Sequence, residues 1–112
     1  MGDFPGKPPQ GSRGGRSTVR TKDSEFETNP KQEVWKPDEV LHPPLASVGL
    51  SAAVGAATAY GQEKYEVAAW CTLPCEAEEA SMKEAYDVCY AFITAELEQR
   101  EADVRHRFFP DM

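Results

Sequence analysis

The sequence predicts a mainly α-helical chain with an extended, Pro/Gly-rich amino-terminal arm, and three observations lead there. An uncharged, alanine-rich stretch of 23 residues, Val40 to Gln62, lies in a chain of which 28% is charged. Seven of the nine prolines and five of the eight glycines fall in residues 1–44. Apolar side chains step by three or four positions from Met82 to Leu97, the spacing of one helix face. The 112 residues suffice for one small domain. They divide into a basic-then-acidic arm over 1–44, a central helix over 45–62 and an acidic helical segment over 63–112.

The arm has few bulky apolar groups to offset the entropy of ordering it, so it is expected to be extended. Its charge is blocked: Lys7, Arg13, Arg16, Arg20 and Lys22 face only Asp3 over residues 1–22, while residues 23–44 carry six acids against Lys31 and Lys36. Residues 45–60 carry no charge, and residues 61–112 carry twelve acids against five bases. The single RGG-like run Ser12 to Arg16 lacks the repeats and stacking aromatics of nucleic-acid binders, so no nucleic acid is expected. Pro5, Pro8 and Pro9 oppose the amphipathic helix of a mitochondrial presequence. Phe26 and Trp35 stand among acids and prolines and are read as anchors for a partner, with Trp35 alternatively folding back on the chain's own helices.

Pro43 and Pro44 suit a helix start. From Pro44 to Gln62 a helix would reach about 28 Å, close to the hydrocarbon thickness of a bilayer. Six alanines, two glycines and three hydroxyl residues between Leu45 and Tyr60 make it a weak span by itself. Gly49, Ala53 and Ala57 recur every four positions, the small-residue ridge of close helix packing. The central element is therefore expected as a helix against other helices, either across a membrane beside neighbouring subunits or inside a soluble bundle.

A turn at Cys71-Thr72-Leu73-Pro74-Cys75 is expected to precede a helix over 76–107. Glu76, Glu78 and Glu79 lie in its first turns, Arg105, His106 and Arg107 in its last, and Pro110 stops it. Met82, Tyr86, Cys89, Ile93 and Leu97 form its apolar stripe, widened by Tyr90 and Phe92 and extended by Val104. A Cys71–Cys89 disulfide is feasible if the segment before Cys71 folds back on the helix. Cys71 and Cys75 form a C-x3-C pair that resembles the paired-cysteine helical hairpins of mitochondrial intermembrane-space proteins, but a fourth cysteine is missing.

No phosphate-binding glycine loop, paired catalytic carboxylates or metal-ligand spacing is present, so no enzyme activity, cofactor, metal or small-molecule substrate is expected. Two function classes remain. One is an accessory subunit of a membrane-protein assembly, similar in layout to the single-span supernumerary subunits of mitochondrial respiratory complexes. That layout implies other protein subunits as partners, membrane contact and the mitochondrial inner membrane as its place. The other is a structural or adaptor protein of a cytoskeletal or other large assembly in the cytoplasm.

Overall fold

The computed structural model describes residues 10–35, 39–58 and 61–111. Four strands come first: β1 (Gly11–Arg20), β2 (Glu25–Trp35), β3 (Leu45–Ala57) and β4 (Lys64–Glu76); the helix α1 (Glu79–Phe108) follows. They form one antiparallel sheet in the order β2-β1-β4-β3 with α1 laid across one face. The mainly α expectation is thus overturned: 48% of the described residues are strand and 31% helix.

The physical reason is a period of two. In β4, Tyr65, Val67, Ala69 and Cys71 are buried while Lys64 and Glu66 are exposed, the alternation of a strand with one covered face. In β3 the larger apolar side chains Val48, Leu50 and Val54 fall on even positions and Ser47, Gly49, Ser51 and Gly55 on odd ones. Steps of four satisfy both periods, so Gly49, Ala53 and Ala57 share a face in a strand as they would in a helix. The central helix, membrane-spanning or not, is replaced by β3, and no helix among the described residues is long and apolar enough to cross a membrane.

The expected extended arm is replaced, over residues 11–35, by a hairpin. A turn in which the Thr21 amide donates to the Ser24 carbonyl at 2.8 Å joins β1 to β2. β1 sits between β2 and β4, so its glycines are held by ladders on both sides. Two of them are required by close approach. A Cβ on Gly14 would lie 2.6 Å from the Trp70 ring on the outer face, and one on Gly15 would lie 2.5 Å from Arg100 Nε beneath the helix. The RGG-like run is therefore a central strand thinned to admit a ring on one side and an ion pair on the other. The first nine residues of the expected arm lie outside the described residues, as does Tyr60.

α1 runs diagonally. Its first half covers β4 and the start of β3: Cys89 and Ile93 pack with Ala69 and Cys71, and Leu50 borders that cluster. Its second half crosses towards β1 and β2, where Val104 packs with Val19, Val67, Tyr65 and Phe109, and Phe108 meets Phe26 edge-on at 5.5 Å. Full burial of Val19, Val67 and Val104 contributes about 1.5 to 3 kcal/mol each. The diagonal leaves the far half of β3 bare, and Ser51 to Ala57 are all exposed.

Candidate functional site

The two edges of the sheet differ in kind. On β2, Glu25, Glu27, Lys31 and Glu33 place charge along the strand, and Pro30 lacks an amide to donate. Asn29 adopts φ 52°, and Asn29 and Pro30 together oppose Arg16, a bulge that breaks the ladder. These are the devices by which native sheets refuse further strands. β3 has none of them. Its 13 residues carry no charge and no proline, pair with β4 through their whole length, and have no partner strand on the other side among the described residues.

The helix lies over the first half of this strand. The Cys89 thiol donates to the Val48 carbonyl at 3.9 Å, which places α1 above the first half of β3. Ala85 and Val88 point to the opposite flank, into a cleft of about 490 Å³ shared with Trp35, Leu41 and Leu73. Helical geometry then turns Met82, Tyr86 and Tyr90 towards the β3 side. All three are exposed, Tyr90 by 56%, and the two tyrosine rings stack at 6.2 Å. Three members of the expected buried stripe are thus surface residues; Ala85, Glu96 and Arg100 are buried in their stead.

The sequence-derived candidates fall as follows. Gly49, Ala53 and Ala57 lie together on the β3 face turned away from α1, all exposed. Phe26 packs on Phe108, and the Trp35 ring lies 4.4 Å beneath the Arg13 guanidinium, so both find partners within the chain. Cys71 and Cys89 are brought together beneath the helix, with Cys75 nearby, and all three are buried free thiols. Burial, with a hydrogen bond between the Cys89 and Cys71 thiols, pushes Cys89 up to about 12, and burial alone raises Cys75. Both are protonated at neutral pH and therefore poor nucleophiles. No group of three or more His, Cys, Asp or Glu among the described residues could hold a metal ion.

A charged layer ties α1 to β1 and β2. Arg100 Nε donates to Glu96 Oε2 at 2.7 Å and its Nη1 to the Ser17 hydroxyl at 3.1 Å. Lys31 Nζ lies 3.8 Å from Glu96 Oε1, and Arg13 reaches Glu33 at 3.3 Å. The hydrogen bond from Arg13, opposed in part by burial and assisted by Lys31, holds Glu33 below the usual carboxylate range. Every member is paired, which makes the layer a fastening of helix to sheet.

Sequence reasoning missed Val54, Tyr86 and Tyr90 as surface features. The alternation in β3 was the available signal for Val54, but the tyrosines carry no signal apart from the helix stripe in which they lie. Comparison with known protein families, with characterised proteins and with solved structures yields no match.

Proposed function

We propose that this chain is a non-catalytic structural subunit that joins a larger protein assembly by extending a β-sheet through β3. The asymmetry of the edges carries the reading: β2 is guarded by charge, proline and a bulge, while β3 offers 13 uncharged residues and a free ladder. A long exposed edge without charge aggregates unless it has an intended occupant, and main-chain pairing is the standard means by which a sheet recruits one. The charged groups that fasten the helix to the sheet, Arg100 with Glu96 and Ser17, are already paired to one another, so that layer has little to offer a partner. A membrane is not needed, because the expectation of one drew on a central helix and that segment is a strand.

The experiment is size-resolved sedimentation of native extracts containing tagged wild type or Val54→Lys. Val54 is 41% exposed on the bare half of β3, so lysine there guards the edge without entering the core. Wild type should sediment as an associated species heavier than the free 112-residue chain and the variant as free chain. Equal sedimentation of the two would contradict the reading.

A further inference from the structure

We infer that the occupant of the β3 edge is a second copy of this chain, paired antiparallel about a two-fold axis at Ser51; this rests on reading β3 as the assembly contact. Antiparallel pairing of a strand with itself requires an axis perpendicular to the sheet, which sets both helices on one face. Ser51 is the middle of Leu45–Ala57, so full overlap places Ser51 opposite the partner's Ser51 and Val48 opposite the partner's Val54. Leu50 then faces the partner's Ala52, and Ala46 the partner's Ala56. Helix-side residues meet helix-side residues throughout.

This register solves two problems at once. Each copy leaves the helix side of its second half bare, and each carries exposed Met82, Tyr86 and Tyr90 on the flank of α1 turned towards β3. Across the axis, Val48 beneath the helix of one copy stands opposite the bare Val54 of the other, so the exposed helix flank of each copy faces the bare half of its partner. The chain thus supplies the cover that its own diagonal helix withholds.

Charge favours the same occupant. No residue of β3 is charged, so self-pairing opposes no like charges, and β3 offers no charged group by which a foreign strand would be selected. A head-to-tail contact would have to dock β3 on β2, where Glu25, Glu27 and Pro30 refuse it, so the assembly closes as a dimer and does not grow into a fibre. A stable interface buries about 800 Å² per partner, roughly a tenth of the 7465 Å² here. One strand and a short helix flank lie at the low end of that range, so the dimer should be concentration dependent. Each chain carries a net charge of -7, so moderate salt should strengthen it.

The test combines sedimentation of the purified full chain at about 100 μM, near the weak end of specific association, with cysteine cross-linking. Wild type should be a dimer and Val54→Lys a monomer with an unchanged circular dichroism spectrum. Ser51→Cys should give a covalent dimer under oxidised glutathione, because opposed residues lie about 5 Å apart, within disulfide reach. Ala57→Cys, displaced from its own copy by twelve residues or about 41 Å, should not. A monomeric wild type, or cross-linking as efficient at Ala57 as at Ser51, overturns the proposal. If a monomeric wild type still enters a large particle that Val54→Lys cannot enter, a foreign strand is the occupant and the assembly reading survives. If Val54→Lys enters it equally well, both fall.

Discussion

Arg100 Nε lies 2.7 Å from Glu96 Oε2 one helical turn away, and both side chains are buried against Gly15 of β1. Buried pairs of this kind cost desolvation and give back little net stability, but losing one member strands the other. Replacing Arg100 with Ala should therefore destabilise the fold by about 3 kcal/mol, the low end for a stranded charge, because Lys31 remains 3.8 Å from the other Glu96 oxygen. The double change Glu96→Leu with Arg100→Met should be close to neutral. Urea unfolding of the three proteins checks both values.

Gly15 is where the sheet admits that pair. A methyl group there would lie 2.5 Å from Arg100 Nε and 3.0 Å from the Ala68 carbonyl oxygen, which belongs to the backbone and cannot swing away. Gly15→Ala should cost about 1 to 3 kcal/mol by overpacking. Thermal unfolding would reveal it, and an unchanged midpoint would mean that α1 sits farther from β1 than described.

Alkaline pH should loosen the core. Cys89, raised from 9.0 to about 12, and the raised Cys75 hold their protons more tightly folded than unfolded. Tyr65 is raised from 10.0, first by burial and then by its 2.7 Å hydrogen bond to Glu101. Stability from these groups is whole below about pH 9 and is lost as pH rises through the folded values. Each fully titrating group adds a slope of up to about 1.4 kcal/mol per pH unit. Unfolding measured from pH 8 to 11 should steepen above 9, and Cys89→Ala should flatten that slope.

How much of this was legible in the chain differs by element. The charge and apolar spacing around Cys89, Ile93 and Val104 mark α1, and Pro110 marks its end, because a helix face leaves a local 3.6-residue signature. Lys64 to Val67 alternate polar and apolar and were readable as a strand, but Ala68 to Cys71 form a continuous apolar run that carries no period. Alanine content and four-residue steps in Gly49, Ala53 and Ala57 masked the same alternation in β3. β1 could not be read locally: Gly14 and Gly15 weaken a strand by propensity, and their purpose appears only once Trp70 and Arg100, distant in sequence, lie against them. Of the candidate site, the missing charge in residues 45–57 was visible from the start. That it forms an open edge was not, since an edge is a property of the whole strand order.

The central claim, that β3 is a strand with one free side which association then fills, is tested most directly by residue-resolved amide exchange across Leu45–Ala57 at low and high protein concentration. An edge strand turns alternate amides to its neighbour and to solvent. In dilute protein, protection should therefore alternate with period two, and at high concentration the unprotected set should become protected as well. Continuous protection in dilute protein, or an alternation that persists unchanged at high concentration, would contradict the account.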